Sequence, residues 1–255
     1  MKTTFLKTFA TSCAAALLLS AIVQAAPSDR SVNPKALAAL KRMSDTLAAA
    51  KAFTYVSSSI FEVPAKNGQS ITLFSNAKVA LQRPDKLRGT LTGESPHFDF
   101  FYDGKTVAAF APHTKAYSLK KAPATIDAML PDLEEETGIR FVTAPLLLSN
   151  PFRVMTRGLT SAVVVGPAVV RGVACEHLAF RSPGINWEIW VESKPAALPL
   201  RLAVTFTDRP NFPSTLVEFS NWNLSPWLGA GDFVFHKPRG AARTPFLSVM
   251  KSTGR

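Results

Sequence analysis

Along 71–82 the odd positions read Ile71, Leu73, Ser75, Ala77, Val79 and Leu81, and the even ones Thr72, Phe74, Asn76, Lys78, Ala80 and Gln82. Successive side chains of a strand point to opposite faces, so this stretch has one apolar face and one mostly polar face. It predicts a strand with one side buried. The same period returns later in the chain. Ile185, Trp187, Ile189 and Val191 alternate with Asn186, Glu188, Trp190 and Glu192, and Leu200, Leu202, Val204 and Phe206 alternate with Arg201, Ala203, Thr205 and Thr207. Antiparallel sheets commonly bury one face and wet the other, and that is the pattern here.

Turn signals set the connections. Asn67-Gly68 and Asp103-Gly104 suit hairpin turns that need positive φ at their central residues, and Pro112-His113-Thr114 turns the next pair. The stretch 53–119 therefore predicts a meander of about six antiparallel strands. Ahead of it, Asn33 as N-cap and Pro34 at the first helical position open an amphipathic helix to about Ala50, with Leu37, Leu40, Met43 and Leu47 on one stripe. After it, Thr125 caps a helix carrying Ile126, Met129, Leu130 and Leu133, which Pro131 breaks or restarts and Gly138 ends. A shorter apolar turn at 144–148 is stopped by Asn150-Pro151, strands resume from about Ser161 to Ser220, and Gly229-Ala230-Gly231 is a turn. The fold class expected is α+β: one large, twisted antiparallel sheet, interrupted by helices. The N-terminal helix and the short helical insert cover its concave face. That modest helical material leaves the concavity incompletely filled, which is how such a fold makes an apolar ligand site.

The first residues add an address. Lys2 and Lys7 precede an apolar run from Phe9 to Val23, which ends in Val23-Gln24-Ala25. This is the order of a cleavable export signal, so 1–25 is expected to be removed between Ala25 and Ala26. Residues 26–255 then form a single β-rich domain exported to the periplasm. Cleavage would take the formal charge from +11, less two lysines, to +9. It would also remove Cys13 and leave Cys175 without an internal disulfide partner. Export argues against nucleic acid as the partner of the basic charge, and an anionic membrane surface suits it better.

Leu81-Gln82-Arg83-Pro84-Asp85-Lys86-Leu87-Arg88, followed by Tyr102-Asp103-Gly104-Lys105-Thr106-Val107, resembles the LolA/LolB superfamily of periplasmic lipoprotein carriers. The later Asn186-Trp187-Glu188-Ile189-Trp190-Val191 and Pro199-Leu200-Arg201 are similar to that pattern too. More narrowly, the chain resembles a branch described as predicted periplasmic proteins. The resemblance implies a half-open barrel, closed by helices, whose interior accepts acyl chains. It implies that Arg83, matching the arginine of the carriers' Arg-Pro motif, joins sheet to lid in the empty state. It also implies two classes of role, carriage of a lipid or acylated protein, or an envelope sensor that binds a protein partner. The longer second meander and the basic charge depart from LolA itself.

On pattern alone an aromatic and aliphatic stripe is ordinary core. With the resemblance, Ile71, Leu73, Phe98, Phe100, Tyr102, Met129, Leu133, Trp187, Ile189 and Phe206 become the candidate lining of a hydrophobic site. Enzyme signatures are absent from the sequence, with no His-Glu-x-x-His, Gly-x-Ser-x-Gly or Walker A pattern. Cys175 and His177, two apart on one strand face, are the best nucleophile–base pair, but a free cysteine is usually just buried. The four histidines lack zinc spacing, and Glu134-Glu135-Glu136 reads as a solvated helix face. The expected function is non-catalytic binding of a hydrophobic ligand, with no cofactor and no metal.

Overall fold

The structure, a computed structural model, describes residues 31–94, 97–139 and 141–246. The expected export signal, its cleavage point and Cys13 lie outside the described residues. Helix α1 (Pro34–Ala49) begins where the Asn-Pro pair predicts, and Asn33 Oδ1 accepts a hydrogen bond from the Lys35 amide at 2.9 Å. Its buried stripe is Ala36, Ala39, Leu40, Met43 and Leu47.

Six strands follow as a meander: β1 (Ala52–Pro64), β2 (Ser70–Gln82), β3 (Lys86–Gly93), β4 (Phe98–Tyr102), β5 (Thr106–Ala111) and β6 (Ala116–Lys121). The hairpin turns fall where Asn67-Gly68, Asp103-Gly104 and residues 112–115 place them, with Gly68 at φ +83° and Gly104 at φ +87°. Helices α2 (Ile126–Thr137), α3 (Ala144–Leu147) and α4 (Pro151–Met155) form the insert. A second meander then runs through β7 (Ser161–Val170), β8 (Val173–Ser182), β9 (Ile185–Glu192), β10 (Pro199–Phe206) and β11 (Ser214–Asn223).

One local expectation is corrected and another extended. α2 continues through Pro131, because a proline there removes a single ladder bond on an exposed face. Asn150-Pro151, which follows the end of α3 at Leu147, is more than a stop and starts a further helix: Asn150 Oδ1 accepts from the Arg153 amide at 2.9 Å, and Pro151 sits in the first turn of α4.

The two meanders join because β1, the first strand, also pairs with β11, the last long one. With a last short strand, β12 (Ala242–Arg243), one sheet of order β12-β6-β5-β4-β3-β2-β1-β11-β10-β9-β8-β7 results. It is open, and its neighbours are antiparallel except for β12, which lies parallel to β6. The inner face carries the main core, with Phe53, Leu81, Phe98, Tyr102, Leu178 and Ile189 under the helices. α1 packs on β7, β8, β9 and α4, and the Phe152 amide donates to Ser44 Oγ at 2.8 Å.

The outer face of β3–β6 is covered as well. The segment after β11 crosses it, buries Phe233 completely, and sets Phe235 against Phe101, Phe110 and Tyr117. No periodicity in the sequence announces this cover.

Candidate functional site

The site begins with what the inner face lacks. Pairing register places Ser57 opposite Ala77, Ser59 opposite Ser75, and Gly89 opposite Val79. These small residues point toward the helices from three adjacent strands. Interiors pack densely, so a run of short side chains facing a cover that cannot descend leaves space. Here it leaves a deep pocket of about 90 Å³ beneath α2 and α3, bounded by Tyr55, Phe98, Phe100, Leu133 and Leu147. Ser57, Ala77, Leu91, Phe141 and Thr143 also border a wider cleft of about 680 Å³. The cleft runs over β1 and β11 to the β10–β11 loop, past Phe61, Phe206 and Val217. A further cleft of about 260 Å³, over Ile185, Trp187, Leu202 and Val204 and under α4, shares Val142 with it.

Polar groups in the deep pocket are few. Tyr55 is 2% exposed, and burial pushes its hydroxyl well up, opposed by a side-chain hydrogen bond with Thr143. The ring stays neutral and presents an apolar wall.

Arg83 ties the cover to the sheet. It follows β2, and a cis peptide bond joins it to Pro84. Its Nη1 donates to the Leu147 carbonyl at 3.0 Å, and its Nη2 donates to the carbonyls of Leu148 at 3.0 Å and Leu47 at 3.2 Å. These are unsatisfied C-terminal carbonyls of α3 and α1, whose partial negative charge suits a guanidinium. Its Nε is buried without a partner among the described residues. Burial lowers the arginine's pKa, and the charge of Asp127 raises it. The Pro84 carbonyl accepts from the Ile126 amide at 2.9 Å, so the same turn also holds the start of α2.

The candidate lining residues divide. Phe98, Phe100 and Leu133 border the deep pocket, Phe206 the wide cleft and Trp187 the cleft under α4. Tyr102, Met129 and Ile189 are packed into the core. Tyr102 donates to the Pro123 carbonyl at 2.5 Å, and burial with nearby Asp85 and Asp103 pushes its pKa up to about 12. Ile71 is a correction: it belongs to the inward face of β2, but the β1–β2 hairpin runs past the helical cover and leaves it 42% exposed. Leu73, two residues nearer the cover, is half-buried and borders none of the three cavities.

Among the described residues no hydrogen bond joins Cys175 to His177. Burial pushes the Cys175 thiol up, against the lowering effect of Arg201 and a backbone hydrogen bond with Val170, whereas an activated thiol needs the reverse. His177 stacks on Trp190 with centroids 4.0 Å apart, and its Nε2 lies 2.6 Å from Glu188 Oε2. His97 and His113, remote in sequence, do meet, with His113 Nε2 2.9 Å from His97 Nδ1. Among the described residues no group of three or more potential metal ligands comes together. Glu136 of the acidic run pairs with Lys120.

A family model described as DUF2092, predicted periplasmic protein, matches residues 36–247. No curated protein matches the chain. Among solved structures it is similar to the lipoprotein LppX of Mycobacterium tuberculosis, at 13% identity and a TM-score of 0.47 over 75% of this chain and 96% of that one. It is similar to LprF from Mycobacterium bovis, at 12% identity and 0.43 over 83% and 100% of the two chains. A third is the LolA superfamily protein NE2245 from Nitrosomonas europaea, at 10% and 0.38 over 78% and 97%.

Proposed function

The chain belongs to the DUF2092 family of predicted periplasmic proteins, and on that footing we propose that it binds a hydrophobic ligand non-covalently, as a periplasmic carrier of lipid or of the acyl chains of a lipid-modified protein. One observation carries the reading: a stripe of small residues on the inner face fails to fill the space beneath the helical cover and leaves an apolar pocket that shares its lining with a cleft of about 680 Å³. That volume lies within the roughly 300–1,000 Å³ of pockets that take small molecules. Each methylene buried there contributes about 0.8 kcal/mol, so a chain of ordinary length needs few polar contacts to be held. Tyr55, buried and neutral, offers such a ligand an apolar wall.

The test is direct. Protein purified gently from the periplasm and sprayed from volatile buffer should carry lipid in native mass spectra. The delipidated protein should take up a fluorescent fatty acid with saturation at one or two equivalents. Protein that emerges empty and takes up no probe is not a carrier of this kind.

A further inference from the structure

We propose that the ligand is an anionic amphiphile, whose acyl part lies in the clefts and whose acidic head group sits between Arg157 and Arg209 at their mouth; this rests on the carrier reading above. Arg209 borders the 680 Å³ cleft, and its guanidinium carbon lies 4.2 Å from the centroid of the Phe206 ring, which belongs to the cleft wall. Stacking on an aromatic face leaves the edge donors of a guanidinium free for an oxyanion. Arg157 borders the adjoining 260 Å³ cleft.

The topology brings the two arginines to the same end of the sheet. Gly158, next to Arg157, faces Pro183 of the β8–β9 turn, whose Cδ lies 3.8 Å from where a Cβ on Gly158 would sit. In that turn the Gly184 carbonyl accepts from the Thr207 amide at 3.0 Å, and Asp208 packs on Gly184. Three loops in contact thus carry Arg157 and Arg209 to one end of the sheet, each bordering one of two clefts that share Val142.

Of the other arginines of the second meander, Arg181 on β8 likewise forms no ion pair among the described residues but borders neither cleft, and two are neutralised locally. Arg171 and Arg201 both pair with Glu218. Arg157 and Arg209 form no ion pair among the described residues. The acid that borders the wide cleft, Glu62, is held within that lining: its Oε2 accepts from the Ser214 amide at 3.1 Å and from Ser214 Oγ at 3.0 Å, and no ion pair ties it to Arg209. Both arginines are exposed at the edge of an apolar lining, so a ligand with a carboxylate, phosphate or sulfate at one end gains guanidinium partners there, whereas a neutral lipid leaves them to water.

The experiment compares hexadecanoate with hexadecanol, two chains of equal length that differ in head charge, in competition against a fluorescent probe at low and high salt. Wild type should prefer hexadecanoate. The R157Q/R209Q double variant should lose about tenfold in hexadecanoate affinity and nothing in hexadecanol affinity. High salt should erase the preference in the same way, and R157K/R209K should retain it. Equal affinities for the two ligands in wild type, or equal losses on both in the double variant, would overturn the head-group assignment while hexadecanol binding leaves the carrier reading standing. If the double variant loses capture by anionic vesicles but keeps its hexadecanoate affinity, the arginines serve a bilayer surface and the assignment is wrong. If neither ligand binds wild type, the carrier reading itself fails and this one falls with it.

Discussion

Arg83 Nη1 and the Leu147 carbonyl are joined by a 3.0 Å hydrogen bond across 64 residues of sequence, from the end of β2 to the last turn of α3. With the bonds to Leu148 and Leu47 it makes one guanidinium the common fastening of α1 and α3. Arg83→Leu would leave three carbonyls unpaired, at a cost of about 2–4 kcal/mol in urea unfolding. Hydrogen exchange should quicken first in 144–148. Arg83→Lys should fall between the two, because one ammonium serves fewer carbonyls than a planar fork. An unchanged exchange rate in α3 would show that the fastening lies elsewhere.

Ala77 borders both the deep pocket and the wide cleft. Ala77→Phe should fill the space where they meet and weaken uptake of a fluorescent fatty acid by tenfold or more, about 1.4 kcal/mol. Because the new ring enters a void, stability should change by less than about 1 kcal/mol, below the usual penalty of overpacking. Undiminished uptake would exclude this part of the site as the ligand's path.

Gly104 has φ +87°, and a Cβ there would overlap Asp85 Oδ2. Asp85 and the Asp103 carbonyl both accept from Lys86 Nζ, at 3.0 and 2.7 Å, so the two turns are braced together. Gly104→Ala meets both a backbone penalty and a collision, and should destabilise by about 2 kcal/mol or more, measured by thermal unfolding. A neutral result would mean the Asp85 side chain moves aside freely.

Hydrogen bonding from Arg201, opposed by partial burial and reinforced by the charges of Arg201 and Arg171, holds the Glu218 carboxyl below its ordinary range. A depressed acid stabilises the fold fully above its unfolded value of about 4.3, and that stabilisation is lost as the pH falls through the lower folded value. Urea unfolding followed from neutral to acid pH should therefore show a declining limb below about pH 4. Glu218→Gln should be flatter in that window and less stable than wild type at neutral pH. Parallel curves for the two proteins would assign the acid limb to other carboxylates.

How far the chain can be read unaided depends on whether a feature is periodic. The strands around Ile71–Gln82 and 185–206 were legible because one face of each is wet. The turns were legible because only certain residues accept positive φ. Asn33-Pro34 and Asn150-Pro151 carry the same capping chemistry, yet only the first announces its helix, because α4 is too short to display a helical period. The cover over the outer face hangs on Phe233 and Phe235, isolated aromatics in a segment with no repeat. Ser75 and Ala77 stood in plain sight within the alternation. Their meaning emerged only when register set them beside Ser57, Ser59 and Gly89. The rim arginines needed topology as well, since Arg157 and Arg209 come from different loops.

The pairing of β1 with β11 is the one seam along which the two meanders meet, and the wide cleft lies over it, with Ser57, Phe61, Thr215 and Val217 on its floor. Each half is a continuous run of hairpins, so the molecule is built like a book with that seam as its spine. Among the described residues, strand pairing ties the two pages only along that spine, so the floor of the wide cleft is also what makes the two meanders one sheet.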